Sequence, residues 1–224
     1  MEIERQFLID SFPTLPELYR AQVRQGYLST APVVRIREFV RPDGSVSHIV
    51  EFDPKTGARL REHAGQGWAL GSAWSRGQAW ALYGFAMLYE NTGDARYLDA
   101  ARRVAEFFVA HIRPDGLTDC DFTQPEQPER IDNIAGACGA SGLLTLSALT
   151  GEARYREAAE RLLDGLIDHC CDLSPGRCGV LTHCTASYHD DAAGVHTNIV
   201  YGDFFLIEAL LKVLSRDPEL WRHR

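Results

Sequence analysis

Ten residues near the middle of the chain occur twice. Thr92-Gly93-Asp94-Ala95-Arg96-Tyr97-Leu98-Asp99-Ala100-Ala101 returns as Thr150-Gly151-Glu152-Ala153-Arg154-Tyr155-Arg156-Glu157-Ala158-Ala159, an offset of 58 residues between Thr92 and Thr150. Each copy carries a Thr-Gly-acid turn between two stretches of helical periodicity. Before the first turn, Trp80, Tyr83, Gly84, Met87 and Leu88 recur at three- and four-residue steps; after it, Tyr97, Ala100, Ala101, Val104, Phe107 and Phe108 form a second stripe. The repeat unit is therefore one αα-hairpin followed by a long loop. Toroids, other repeat arrays and helix bundles all use such hairpins. A closed ring of six hairpins at this period needs roughly 350 residues; 224 residues supply about half a ring plus a remainder. The expected fold is mainly α: a partial α/α toroid preceded by short β-strands.

The remaining elements follow from punctuation and patterning. Residues 1–40 read as short strands broken by Pro13, Pro16 and Pro32, with Val34 to Phe39 alternating. Residues 41–62 read as a hairpin with turns at Pro42-Asp43-Gly44 and at Asp53 to Gly57. From Ser72 onward helices dominate. Asp132 can cap a helix with a small-residue face (Ala135, Gly136, Gly139, Ala140), another runs from about Ala153 to Asp168, and a last one from Phe204 to Leu214.

Charge excludes some functions. The net charge is −8, against a general nucleic-acid binder. Residues 1–41 nevertheless hold six Arg against five acids, so the acidity lies downstream, and a boundary is expected near residue 38. No run of about 18 apolar residues is evident, against a membrane span. The start, Met1-Glu2-Ile3-Glu4-Arg5, does not read as a secretory signal, so a cytoplasmic protein with reduced thiols is expected. Cys170, Cys171, Cys178 and Cys184 crowd with His183, His189 and His196, but no Cys-x-x-Cys pair occurs, and neither a metal site nor a cofactor is expected.

The chemistry concentrates in Gly65 to Trp80. Trp68, Trp74 and Trp80, with Gln66, Gln78 and Arg76, surround a glycine-rich lead into a helix. Trp74, Arg76 and Trp80 cannot all face one apolar core at helical spacing. Aromatic faces with donors at their edges suit a sugar ring, and an Arg between aromatics suits a carboxylate. The alternative is that the tryptophans are core and Arg76 pairs with a helix acid. His48 alone reads equally as a packed hairpin histidine.

The segment Trp74-Ser75-Arg76-Gly77-Gln78-Ala79-Trp80-Ala81-Leu82-Tyr83-Gly84-Phe85 resembles the signature of glycoside hydrolase family 88, the unsaturated glucuronyl hydrolases. Further segments agree in order: Asp43 to Phe52, Asp119-Cys120-Asp121-Phe122, Asp132 to Leu144 and Tyr201 to Phe205. The similarity spans about residues 40–224. It implies a six-hairpin α/α barrel and an enzyme that hydrates the double bond of a 4,5-unsaturated uronic acid left by polysaccharide lyases. It also implies that His48, Gln66, Trp74, Arg76, Trp80, Tyr188 and His189 bind the substrate, an unsaturated glycosaminoglycan-type oligosaccharide. In the family an Asp protonates the double bond and activates water, and both active-site aspartates precede the His48 hairpin. No position here matches them, so no catalytic residue is assigned. Asp121 and Asp132 match other family segments; Asp132 and Asp203 read first as helix-start residues.

Residues 1–38 carry a different resemblance. Met1 to Asp10, Gln25 to Thr30 and Pro32 to Arg37 are similar to strands of the CYTH-type triphosphate tunnel family, in which glutamates hold a divalent metal and basic residues grip a triphosphate. Glu2, Glu4, Arg35 and Arg37 match those roles, while Gln6 replaces an expected Lys. The expectation is thus two pieces, a CYTH-like strand fragment at 1–38 and a glucuronyl hydrolase-like toroid segment at 39–224. As this chain, that segment is expected to be incomplete or inactive as a hydrolase and to self-associate through the toroid's open edge. The alternatives are a non-catalytic carbohydrate-binding helical module and a fragment of a metal-dependent triphosphate enzyme.

Overall fold

The computed structural model describes residues 39–53 and 55–216. The CYTH-like reading of residues 1–38 therefore lies outside the described residues. Two strands, β1 (Ile49–Phe52) and β2 (Arg59–His63), are followed by five helices: α1 (Ser75–Thr92), α2 (Ala95–Ala110), α3 (Asn133–Thr150), α4 (Ala153–Cys170) and α5 (Val200–Val213).

The two copies of the sequence repeat build the same corner. At each, the glycine takes a left-handed conformation (φ +67° at Gly93, +73° at Gly151) that ends one helix. The preceding threonine hydroxyl donates back to a carbonyl of that helix, Thr92 to Leu88 at 2.6 Å and Thr150 to Leu146 at 2.8 Å. It also accepts the amide of the acid that starts the next, Asp94 and Glu152, at 3.2 Å in both. The α1–α2 and α3–α4 hairpins are thus structurally equivalent.

Helices α1 and α5 both pack on α3, while α2 and α4 pack on their own hairpin partners. Arg76 of α1 meets Asp132 at the start of α3. Further along, Tyr83 of α1 and Ser141 of α3 both donate to Glu208 of α5 at 2.9 Å. The three inner helices therefore run in parallel with their N-termini on one side.

Helix α3 is apolar almost all round. By length and composition it could cross a membrane, a feature that simple run-counting overlooks, but it is mostly buried inside the protein. Its glycines make that possible: a Cβ on Gly139 would lie 2.4 Å from Phe108 Cζ, and one on Gly142 3.1 Å from the Tyr83 nitrogen. The small face expected from sequence is real, and it seats α1 and α2 side chains closely.

On α1 the buried stripe differs from the sequence pattern. Gln78, Ala79, Leu82 and Ala86 are buried, while Trp80 and Leu88 are exposed and Tyr83, Gly84 and Met87 half-buried. Apolar residues lie on two overlapping faces of α1, and periodicity cannot choose between them. Close packing on the glycines of α3 selects the small-residue face. The last helix begins at Val200, four residues earlier than the expected Phe204.

Ahead of α1, the Pro42-Asp43-Gly44 turn docks on the first hairpin. Gln78 Nε2 donates to the Gly44 carbonyl at 2.7 Å and to that of Val104 at 3.3 Å. β1 and β2 pair antiparallel, Ile49 opposite His63, with a bulge at Glu51/Phe52. The Asp53 carboxylate organises their turn by accepting the Lys55 and Thr56 amides, both at 2.8 Å.

Candidate functional site

The N-terminal ends of α1 and α3, the β-hairpin and the loop 183–189 meet around Trp74. The indole is nearly fully buried. The His48 ring lies tilted against it with centroids 4.1 Å apart, and Trp80 meets it edge-on at 5.7 Å. The Arg76 guanidinium carbon sits 5.1 Å from its ring centroid. Tyr188 and Cys120 pack on it, with Trp68 alongside.

Hydrogen bonds lace the glycine-rich segment to the later loop. Gln66 Nε2 donates to the Ala186 carbonyl at 2.7 Å, and the Tyr188 amide donates to the Gln66 carbonyl at 3.0 Å. A His189 ring nitrogen stands 2.6 Å from the Trp68 carbonyl. His48 Nδ1 accepts the Gln66 amide at 3.0 Å, which requires a neutral ring at that nitrogen. Burial lowers the His48 pKa, and nearby Arg76 adds to that; the Ala64 carbonyl 3.1 Å away acts against it. Gly65 (φ +59°) must be glycine here, since a Cβ would fall 2.2 Å from His48 Nδ1.

All seven sequence-derived binding residues, His48, Gln66, Trp74, Arg76, Trp80, Tyr188 and His189, thus fall in one neighbourhood. They differ in access. Trp80 is 41% exposed and His189 lies open at the rim. Arg76, at 4% exposure, is engaged: Nε donates to Asp132 Oδ2 at 2.9 Å, Nη2 lies 2.8 Å from the same oxygen, and Nη2 also donates to the Thr185 carbonyl. The pairing of Arg76 with a helix acid, the alternative in the sequence, is present. It leaves Nη1 without a hydrogen-bond partner among the described residues. Two more donors near it, Trp74 Nε1 and the Tyr188 hydroxyl, are buried and unpartnered among the described residues.

The two acids nearest the site are committed. Asp121 is fully buried and accepts from the amides of Trp68, Ala73 and Thr123 and from the hydroxyls of Ser72 and Thr123, all at 2.5–3.1 Å. It shapes the turn that delivers Trp74. Asp132 is fully buried too, caps α3 through the Ile134 amide and pairs with Arg76. Burial raises its pKa while Arg76 pulls it back. Among the described residues no three His, Cys, Asp or Glu side chains converge as metal ligands. All six cysteines are free; burial pushes the Cys184 thiol up to about 12.

The chain as a whole is similar to known proteins. The chain is 32% identical over 234 residues to the unsaturated glucuronyl hydrolase of Bacillus sp. (strain GL1), an alignment covering 98% of this chain and 61% of that protein. The crystal structure of the Bacillus sp. GL1 enzyme, described as responsible for the degradation of glycosaminoglycan, superposes with a TM-score of 0.77 at 32% identity, covering 86% of this chain and 53% of that one. The chain is homologous to the unsaturated glucuronyl hydrolases. A variant of the Streptococcus agalactiae unsaturated glucuronyl hydrolase, complexed with dGlcA-GalNAc6S, matches at 27% identity and a TM-score of 0.69, covering 81% of this chain and 50% of that one. No family model matches the chain. The chain spans roughly half to three-fifths of the length of the glucuronyl hydrolases it matches.

Two residues that hold Arg76, Asp132 and Thr185, are not marked for that role in the sequence. Asp132 was readable as a helix cap, but its second role depends on α1 lying beside α3. Thr185 acts through its carbonyl, for which no side-chain signal exists.

Proposed function

We propose that this chain binds the 4,5-unsaturated uronic acid end of oligosaccharides released by polysaccharide lyases, with Arg76 taking the sugar carboxylate. One observation carries the reading: a guanidinium fixed beside an aromatic cage that keeps one nitrogen, Nη1, uncommitted. A buried arginine facing a planar carboxylate gives a charge-assisted pair in a partly dehydrated setting. Trp80, half-exposed beside Trp74, offers an apolar face for the sugar ring's CH patch. His48, Gln66 and His189 complete the rim, and Tyr188 packs, buried, against Trp74.

Hydration of the vinyl-ether double bond needs an acid within reach of the carbon it protonates. Asp121 and Asp132 do not supply it in this arrangement, since both carboxylates are saturated by internal donors. The chain by itself is therefore proposed to bind and not to turn over. Calorimetry with unsaturated chondroitin disaccharide and a neutral disaccharide of the same size tests this. Preference for the uronate without loss of its 4,5-double-bond absorbance is expected. Equal affinity for both sugars sinks the binding reading, and turnover at rates typical of the homologues sinks the second part.

Self-association is proposed through α5. Helix α3 is flanked by α1 and α5 and backed by α4, whereas α5 meets only α3 among the helices with substantial contact. Its outer face leaves Val200 73% and Ile207 56% exposed, with Tyr201 and Phe204 between them. Repeat helices bury such faces against the next unit, and a second copy supplies a matching apolar helix. Sedimentation should show dimer that Ile207→Lys converts to monomer; a monomeric parent chain overturns it.

A further inference from the structure

We propose that Asp132 is a positioning residue for Arg76: it fixes the guanidinium so that Nη1 alone is presented to a sugar carboxylate. The proposal rests on the uronate-binding reading above and adds the residue that sets its charge selectivity.

The geometry is specific. Asp132 Oδ2 takes both Arg76 Nε, at 2.9 Å, and Nη2, at 2.8 Å. Nη2 is held a second time by the Thr185 carbonyl. Two of the three guanidinium nitrogens are thereby bound from one side, and the plane is fixed beside the Trp74 ring. The other carboxylate oxygen, Oδ1, is occupied by the Ile134 amide at 3.3 Å and the Thr185 amide at 3.4 Å. Asp132 cannot swing toward a ligand without releasing the α3 cap and the 185 loop. Its backbone is clamped as well: its amide donates to the Thr118 carbonyl at 3.0 Å, and its carbonyl accepts the Thr118 hydroxyl at 2.8 Å. The Thr185 hydroxyl closes the frame by donating to the Ile131 carbonyl at 2.6 Å.

An arginine held at two nitrogens by a carboxylate behaves differently from a free one. Its side-chain freedom is already lost before the ligand arrives, so little ordering remains to oppose binding. The carboxylate also compensates the buried charge in the empty site, where an unpaired guanidinium would be costly. The pair leaves a directed donor at Nη1, and selectivity then depends on Asp132 although it touches no ligand.

The test uses Asp132→Asn, because asparagine caps helices as well as aspartate and keeps an oxygen for the Ile134 and Thr185 amides. Two readouts are taken on the full chain. The first needs no sugar: the Arg76 Nε–H resonance in nitrogen-15 spectra should exchange slowly in the parent and lose that protection in the variant. The second is the affinity ratio between unsaturated chondroitin disaccharide and its uronate methyl ester. That ratio should fall about 10-fold or more, the range for a hydrogen bond to a charged group, with ester affinity unchanged. Thr118→Val, which loosens the same helix start but keeps the ion pair, should leave the ratio intact. Arg76→Lys retains a buried charge pair and serves as the second variant should Asp132→Asn fail to fold; its ammonium, tied to Asp132, should lose the acid preference. Unchanged protection of Arg76 in Asp132→Asn, or full acid preference in Arg76→Lys, overturns the proposal. If the parent does not distinguish acid from ester, the uronate reading fails, while the arginine resonance still decides whether Asp132 does the positioning.

Discussion

Two polar networks, each built around an ion pair, join the inner helices, and they are built differently. At the N-terminal side, Arg76 and Asp132 link α1 to α3. Further along, Lys212 and Glu208 link α5 to both of its inner neighbours. Glu208 accepts from Tyr83 and Ser141, and Lys212 donates to the Ser141 and Thr145 hydroxyls at 2.8 and 2.9 Å. The second network is closed, with hydroxyls filling the places around both charges. The first is open: Nη1 of Arg76, Nε1 of Trp74 and the Tyr188 hydroxyl have no protein partner among the described residues. A saturated network fixes helix register, whereas one that stops short of saturation leaves donors free for the ligand of the proposed function.

The comparison breaks most directly at its closed end. Glu208→Ala removes the carboxylate that pairs with the largely buried Lys212, and should lower unfolding stability by about 3–5 kcal/mol. Binding per folded molecule should stay unchanged. A loss under about 1 kcal/mol in denaturant titration would show that the closed network is not scaffold. At the open end, Arg76→Ala should weaken the unsaturated uronate by about 1.5–3 kcal/mol, the scale of a hydrogen bond to a charged group. A neutral sugar should be less affected, as calorimetry can show.

The two hairpin corners offer a finer control that touches neither network. Gly93→Ala and Gly151→Ala each force a side chain into a left-handed conformation, with open space where the Cβ would go. Each should cost roughly 1–2 kcal/mol, and the two costs should match. Unequal melting shifts would mean that the hairpins are not equivalent.

The smallest expected effect is acid sensitivity. His196 Nε2 accepts the Ile131 amide at 3.0 Å, next to Asp132, and its pKa is lowered by burial and then by His183 and Arg130. A histidine whose folded value lies below its unfolded value, near 6.5, binds its proton more readily when unfolded. Stability should therefore decline as pH falls from about 6.5 toward the folded value, and level off below it. His48 contributes in the same direction. His196→Asn, which tolerates the left-handed backbone at that position (φ +53°), should flatten the slope in denaturation measured between neutral and mildly acidic pH.

Much of this was legible in the chain. The Thr-Gly-acid repeat located both corners, because a helix stop, a hydroxyl back-bond and a helix start are local chemistry. The seven residues that the resemblance marks for substrate binding were named from the sequence, and the fold brings them together. What sequence could not show was mostly pairing across distance. Arg76 and Asp132 are 56 residues apart, and only the packing of α1 on α3 joins them. The choice of buried stripe on α1 had the same origin: Leu82 and Ala86 won over Trp80 and Leu88 because the glycines of α3 admit close neighbours. Asp121 matches a family segment in the sequence, but the five donors that saturate its carboxylate come together only in the fold.

The apolar character of α3 bears on how the chain is made. Its neighbours lie on both sides of it in the sequence, α1 before and α4 and α5 after. As the ribosome extends the chain, Asn133 to Thr150 emerges with only its upstream cover in place, and the rest of that surface waits until residue 213 has been added. During synthesis the centre of the finished molecule is thus its stickiest part, and pausing downstream of Thr150 would prolong the interval in which chaperones or other nascent chains compete for it.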